Sequence, residues 1–517
     1  MFSQNNKKKS DLVALIQTLA FRGLEAVPVE VQVHLAPGHH AFSVVGLADK
    51  SVAESRDRVR AALGAIGLSL PYDRITINLS PADLPKEGSH YDLPIAIGLL
   101  VAMGALAPEL IEPYFILGEL GLDGRCSSVP GCLPAAMAAL SRDMGLICPE
   151  ANGAEAAWSG LGRPDQQGIV AAPHLLSILN HLTGKYLLPT PQALSHEGAS
   201  DPLDLSDIRG QVEARMILEV AAAGAHNLLM VGPPGAGKSM LAARLPSILP
   251  KMTAKEALEL GVIESLSGGV SGIAMTMTRP FRAPHHSASM AALIGGGRMA
   301  LPGEVSLAHN GVLFLDELPE FPRSVLDALR QPIETGDVHI ARAAMHVTYP
   351  AKFQLIAAMN PCRCGFADDP SRSCHRLPVC MQEYLGRISG PLLDRFDMFV
   401  NVPSVPLEDV WSGDPGESSE VVATRVQAAR DCQMARQDCL NRDLMGDQLM
   451  DFVNLDPAAS KLLNDIVKQN RLSARGFARM LRVARSIADL SGHDRVSGPD
   501  ISCAVSWHKN ALHKTST

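Results

Sequence analysis

Gly232-Pro233-Pro234-Gly235-Ala236-Gly237-Lys238-Ser239 decides how the rest of the chain is read. It fits G-x-x-x-x-G-K-[ST], a loop that wraps phosphate. Before it, Asn227 to Val231 reads as a short buried strand. After it, Met240 to Leu245 reads as the start of a helix. In that setting backbone N–H groups from the glycine-rich turn surround an anion, and the helix N-terminus adds partial positive charge. Gly232, Pro233, Pro234, Gly235, Ala236 and Gly237 form the cradle. Lys238 is expected to reach the β- and γ-phosphates of ATP, with the Ser239 hydroxyl on Mg²⁺.

Downstream, Gly311-Val312-Leu313-Phe314-Leu315 runs into Asp316-Glu317. A buried parallel strand ending in two acids is the Walker B arrangement. Asp316 is the candidate Mg²⁺ ligand, direct or through water, and Glu317 the candidate general base. Gln354 to Met359 reads as another buried strand, ending in Asn360. This succession resembles AAA+ ATPases. The resemblance implies that Asn360 is sensor 1, orienting water against the γ-phosphate. It also implies that Arg395, in Leu392-Leu393-Asp394-Arg395-Phe396, is an arginine finger acting on the neighbouring subunit's nucleotide, with Arg387 as rival. In Ser473-Ala474-Arg475-Gly476, Arg475 falls at sensor 2, with Arg479 one turn on as alternative.

Between phosphate loop and Walker B lie Arg279-Pro280-Phe281-Arg282-Ala283-Pro284-His285-His286-Ser287, then Gly295-Gly296-Gly297-Arg298, then Pro302 to Asn310. With Gly311 to Glu317, these segments resemble the magnesium-chelatase-like AAA+ group and, more narrowly, the YifB/ComM family, over nearly the whole chain. His285 and His286 are adjacent, so a regular element would aim them apart. Loop packing or DNA contact is the expectation for them, rather than metal. Glu334 to Tyr349 reads as a hairpin with Arg342 near its tip. Resemblance to ring helicases places it at a central pore, where Arg342, His346 or Lys352 would track a phosphate backbone. An ordinary solvent-exposed hairpin is the competing reading.

Cys362, Cys364, Cys374 and Cys380 follow sensor 1 with spacing C-x-C-x₉-C-x₅-C. Four thiolates so close together suit tetrahedral Zn²⁺. Relatives in the family carry a second C-x-C pair; here Arg376 stands at its final position. The fourth ligand is therefore Cys380 or His375, with free or buried thiols the alternative to any metal.

Upstream, residues 20–185 alternate short strands and helices. Val29 to Leu35, Ala41 to Leu47 and Arg74 to Leu79 read as strands. Ser51 to Ala65 reads as a helix capped by Ser51, with Arg56, Arg58 and Arg60 towards solvent. Pro85-Lys86-Glu87-Gly88, and Leu117 to Arg125 followed by Val129-Pro130-Gly131, resemble the Lon-protease-like domain, the fold of ribosomal protein S5 domain 2. In Lon proteases those stretches carry a Ser and a Lys. Here His90 holds the place of the Ser, Ser89 is one position off, and Cys132 to Met137 contains no Lys. A Ser without a base is a poor nucleophile, so an inactive copy of the fold is expected and not a protease.

The 517 residues, 46% hydrophobic and 19% charged, suffice for about three domains. The expected fold class is α/β: a Lon-like α+β domain, an AAA+ P-loop core and a C-terminal helical lid. The divisions are a tail over 1–19, the Lon-like domain over 20–185, a tether over 186–207, the core over 208–400 and the lid over 401–517. In the lid, Asp456-Pro457 opens a helix whose apolar face is Leu462, Ile466 and Val467. A net charge of −8 confines any DNA contact to a local basic surface. No apolar run is long enough to cross a membrane, and with no convincing signal peptide a cytoplasmic location is expected, in which the ten cysteines are mostly free thiols or metal ligands. The resemblance implies a homo-oligomer, most simply a hexamer, that hydrolyses ATP with Mg²⁺. As ComM-like, it would be a DNA helicase migrating branches in natural transformation and recombination. A chelatase- or chaperone-type ATPase remodelling a protein partner is the alternative.

Overall fold

The computed structural model describes residues 13–47, 49–160, 168–194, 203–268, 276–297, 299–342, 345–365, 376, 378–405, 416–470 and 473–508. The N-terminal part is a seven-stranded mixed sheet in the order β3-β4-β2-β1-β5-β8-β9. Its strands are β1 (Ala14–Arg22), β2 (Glu25–Ala36), β3 (Ala41–Val45), β4 (Arg74–Ser80), β5 (Tyr114–Ile116), β8 (Gly145–Pro149) and β9 (Ile169–Ala172). A small hairpin, β6 (Glu119–Leu120) with β7 (Cys126–Ser127), lies outside that sheet. Val29, Val31 and Val33 are buried and alternate with less buried neighbours, the two-residue period of a strand with one face inward. The helices Lys50–Ala65 and Asp92–Ala102 pack into the same core.

Several expectations need correcting here. Residues 1–19 are not simply a tail, because β1 begins at Ala14 and pairs with β2 along its whole length. Gln17 and Thr18 do not break it; the buried Thr18 hydroxyl donates to the Ile116 carbonyl at 2.7 Å. Asp49, not Ser51, caps the Lys50–Ala65 helix, accepting from the Val52 N–H at 2.9 Å. Arg58 does not face solvent: it turns inward to the fully buried Asp92, 2.6 Å away.

The second sheet is parallel throughout, in the order β11-β14-β17-β10-β18. Its strands are β10 (Leu228–Val231), β11 (Phe281–Arg282), β14 (Val312–Leu315), β17 (Gln354–Met359) and β18 (Met398–Asn401). Every residue of β10, β14 and β17 is buried, as expected of strands covered on both faces. β10 has later strands on both sides, so a crevice opens beyond its C-terminal end. That is where doubly wound α/β sheets bind ligands. Two small hairpins lie outside this sheet, β12 (Gly295–Gly296) with β13 (Leu301–Pro302), and β15 (Asp337–Arg342) with β16 (Met345–Pro350).

The C-terminal part is helical: Ser419–Gln437, Gly446–Val453, Pro457–Asn470, Ala474–Leu490 and Gly498–Ser506. Asp456 caps its helix as the sequence predicts, and Ser473 caps the next. On Pro457–Asn470, Leu462 and Ile466 pack partly buried against the core as predicted, beside the buried Ala459 and Leu463, while Val467 is exposed. The tether is also less loose than expected. Leu205 is buried, and Asp204 accepts from the Ser419 N–H at 3.2 Å. Between the N-terminal sheet and the core, Leu133 packs with Val262 and Leu266, and the Gly131 N–H donates to Ser265.

Candidate nucleotide site

The loop after β10 approaches other backbone so closely that glycine is required. A Cβ at Gly232 would stand 2.1 Å from the Val402 carbonyl oxygen. Gly235 and Gly237 have φ of +78° and +87°, which side chains rarely adopt. Gly237 leads directly into the helix Lys238–Ile248.

Lys238 is nearly buried. Its ammonium donates to the carbonyls of Gly232 at 2.8 Å and Pro233 at 2.9 Å, and to Asn360 Oδ1 at 3.2 Å. Burial holds it below the usual lysine range, against the pull of Asp316 and Glu317. The Ser239 hydroxyl donates to Asp316 Oδ2 at 2.6 Å. Four residues drawn from three separate stretches thus meet at the C-terminal ends of β10, β14 and β17. Adjacent hard oxygens on Ser239 and Asp316 are a donor set that fits Mg²⁺.

Glu317 has φ of +52°, an uncommon conformation for a residue with a side chain. Its N–H donates to Asp316 Oδ1 at 2.9 Å, and its Oε2 lies 3.5 Å from Nδ1 of His286. Tyr384 sits beside Asn360, Glu317 and Glu320, its phenol pushed up to about 12, chiefly by burial.

The four arginines differ. Arg395 is held in its own chain: its Nη2 lies 2.5 Å from Glu334, and its Nε donates to the Arg330 carbonyl at 3.2 Å. Arg387 is more open, bonded to Glu320 at 2.8 Å, and lines a cleft of about 570 Å³ with Phe321, Arg323 and Glu383. Arg475 is exposed. Arg479 is buried, donating to the Phe396 carbonyl at 2.7 Å, which commits it to joining lid and core.

Cys362 and Cys364 bring their sulfurs to 3.0 Å, and the thiols of Cys362, Cys364 and Cys380 lie within 4.8 Å of one another. Tetrahedral Zn–S bonds of ~2.3 Å place sulfurs ~3.8 Å apart, so the three thiols can surround such an ion once Cys362 and Cys364 separate slightly. Cys374 and His375 lie outside the described residues. The same loop touches the nucleotide site, since a Cβ at Gly365 would come 2.5 Å from Pro234.

Sequence comparisons agree with this arrangement. The signature of magnesium chelatase, subunit ChlI, matches residues 204–410. The signatures of subunit ChlI of Mg-chelatase and of the magnesium chelatase subunit ChlI C-terminal region match 31–152 and 416–508. The uncharacterized protein YifB of Salmonella typhimurium is 44% identical, across 96% of this chain and 97% of its own. The competence protein ComM of Haemophilus influenzae is 42% identical, across 96% and 97%. The chain belongs to the YifB/ComM family of magnesium-chelatase-like AAA+ proteins.

Within this YifB/ComM chain, Lys238, Ser239, Asp316, Glu317 and Asn360 are brought together. Arg475 and Arg395 are not shown against them. On β15–β16, Arg342, His346 and Lys352 just beyond it are exposed. Sequence reading missed the contact of His286 with Glu317. The available signal was the place of His286 just after a short strand ahead of Walker B, but only the parallel pairing of β11 with β14 makes the two loops neighbours.

Proposed function

We propose that this protein is a Mg²⁺-dependent ATP-hydrolysing motor of the ComM type, working as a ring and moving branched DNA. The observation that carries the ATPase reading is the pairing of Ser239 with Asp316 and of Lys238 with Asn360 at the ends of one parallel sheet. Lys238 and the loop N–H groups bind and orient phosphate. Glu317 takes the proton of the attacking water, and Asn360 holds that water in line. Bound Mg²⁺ would neutralise charge developing on the phosphates. Arg395 is the finger offered to the next subunit, which requires its pair with Glu334 to open; Arg387 is the rival. Arg475 reads the nucleotide from the lid.

The DNA track is supported by the exposed Arg342, His346 and Lys352, and by the competence protein among the relatives. A hexamer is the ring that a finger shared between subunits most simply implies. Cys362, Cys364, Cys374 and Cys380, or His375 in place of one, would hold structural Zn²⁺. A Lon-like N-terminal domain fits the mixed sheet, with Ser89 bonded to Glu119 and His90 to the Leu19 carbonyl rather than in a catalytic pair. Free thiols at every described cysteine suit a cytoplasmic setting. The magnesium-chelatase signatures support a second reading, an ATPase that remodels a protein partner.

The deciding experiment measures ATP turnover and branch migration on three-stranded and four-way DNA junctions. Turnover should rise with junction DNA, and Glu317→Gln should lower it ~10²-fold or more while nucleotide still binds. Turnover indifferent to every DNA tested would sink the helicase and favour the protein remodeller. Unchanged turnover in Glu317→Gln would remove Glu317 as the base.

A further inference from the structure

Arg395 can reach a neighbour's nucleotide only if its backbone stands in the right place, and that backbone is held from outside at successive residues. Asn227, just before β10, donates from Nδ2 to the Arg395 carbonyl at 3.0 Å. The Asn227 carbonyl accepts from the N–H groups of Asp397 and Met398 at 2.9 and 3.1 Å, and its N–H donates to Asp397 Oδ2 at 2.8 Å. Asn227 is itself fixed to the sheet, with Oδ1 accepting from the Leu355 N–H of β17 at 2.8 Å. Between these anchors, the Phe396 carbonyl is bonded from the lid, by Arg479 Nη1 at 2.7 Å.

That bond is made out of water. Arg479 is 8% exposed and Phe396 not at all, its ring meeting that of Phe399 with centres 6.3 Å apart. Burying a guanidinium costs more free energy than filling the same space with an apolar side chain. What the guanidinium adds is direction, a charge-assisted bond to one chosen atom. The atom chosen belongs to the residue next to Arg395. Arg479 also lies one turn after Arg475 on the helix Ala474–Leu490, and its Nε donates back to the Arg475 carbonyl at 3.3 Å. One lid helix thus carries both the arginine offered to nucleotide and the arginine that holds the backbone beside Arg395. The far end of Arg395 has a looser partner, since Glu334 is half exposed.

We propose that Arg479 is a positioning residue for Arg395: it fixes the backbone beside the finger to the lid, so that the place of the lid sets where the finger stands for the next subunit. This inference rests on the reading of Arg395 as a finger shared between subunits. It gives that sharing an order, because a subunit whose lid is displaced withholds its finger from its neighbour.

The test mixes full-length subunits of two kinds. Arg395→Ala subunits supply nucleotide sites, Lys238→Ala subunits supply fingers, and the ATP turnover of the two together is the reference. Adding Arg479→Met to the Lys238→Ala subunits should lower kcat about tenfold or more, the scale of a catalytic group displaced by ~1 Å, and leave KM near the reference. Adding it instead to the Arg395→Ala subunits, whose finger is already gone, should leave turnover near the reference. A chain that does not fold fails in both mixtures, so the second mixture also checks assembly. Arg479→Lys, whose ammonium can donate to the Phe396 carbonyl, should restore part of the turnover lost in the first mixture. Hydrogen exchange without nucleotide reads the backbone directly, and the amides of Asp397 and Met398 should lose protection in Arg479→Met. Undiminished turnover in the first mixture overturns the proposal, as does an equal loss in both that Arg479→Lys does not relieve. Unchanged exchange at Asp397 and Met398 also overturns it, since Arg479 would then act without moving the finger's backbone. A reference mixture without turnover would instead count against Arg395 as a shared finger, and the proposal would fall with that reading.

Discussion

Asp92 has no exposed surface, stands at the start of a helix, and accepts from Arg58 Nε at 2.6 Å and Nη2 at 2.9 Å. The Leu120 N–H donates to it as well, at 3.2 Å. Three charge-assisted bonds answer one buried carboxylate and join the helices Lys50–Ala65 and Asp92–Ala102 to β6. Removing one partner of such a pair strands the other charge. Asp92→Ala is expected to lower unfolding free energy by about 3 kcal/mol, measured by urea denaturation, and to do so with the nucleotide site intact. A loss below about 1 kcal/mol would mean that Arg58, which keeps some exposure, turns to water instead. In the sequence, Arg58 looked like one of three arginines on a solvated face. Its partner lies 34 positions away, and helical spacing carries no information about such a contact.

The helix Val212–Gly224 ends against the lid. Arg430 donates twice to the Ala222 carbonyl, at 2.9 and 2.6 Å, and Gln433 donates to Ala223 at 3.2 Å. Arg442 reaches the Ala225 carbonyl at 3.3 Å. Cationic donors at a helix C-terminus satisfy carbonyls that have no partner within the helix and oppose its dipole. Immediately after that end, His226 is buried with Nε2 2.7 Å from the Ser486 hydroxyl, so it too joins core to lid. Burial pushes its pKa down to about 4, Asp397 pulling the other way. His90, in the N-terminal sheet, is pushed to about 4 for the same first reason. Both must stay neutral in the folded chain, while the unfolded chain protonates them near 6.5. Between those values the unfolded state binds more protons, so stability rises with pH. It is complete above about 6.5 and is lost as pH falls towards 4, on the order of 1 kcal/mol per pH unit for each histidine. Urea unfolding at pH 7 and pH 5 measures this, and an unchanged midpoint would contradict it.

Arg395 is occupied within its own subunit, and its proposed action on a neighbour's site calls for a measurement on mixed subunits. Lys238→Ala spoils a nucleotide site but leaves that subunit's proposed finger. Arg395→Ala does the reverse. Each alone should hydrolyse ATP poorly. Mixed together, some interfaces place an intact site against an intact finger, and part of the parent turnover should return. A mixture as inactive as its components would mean that Arg395 does not act across an interface. If Arg387→Ala complements Lys238→Ala while Arg395→Ala does not, the finger is Arg387.

By itself the sequence determined the phosphate loop, Walker B, Asn360, the parallel core and the helical C-terminal part. These depend on local rules: glycine where φ is positive, unbroken apolar runs where both faces of a strand are covered, and caps at helix starts. β1 is not legible in the sequence because polar Gln17 and Thr18 break its apolar run, although one is paired along a ladder and the other is satisfied by a distant carbonyl. The buried Arg58–Asp92 pair, the commitment of Arg479 to the Phe396 carbonyl, the packing of Gly365 on Pro234 and the place of His286 beside Glu317 were decided only by tertiary structure. Each is a contact between residues far apart in the chain. The order of strands in the sheet sets which loops meet at the nucleotide site, and no local pattern encodes that order.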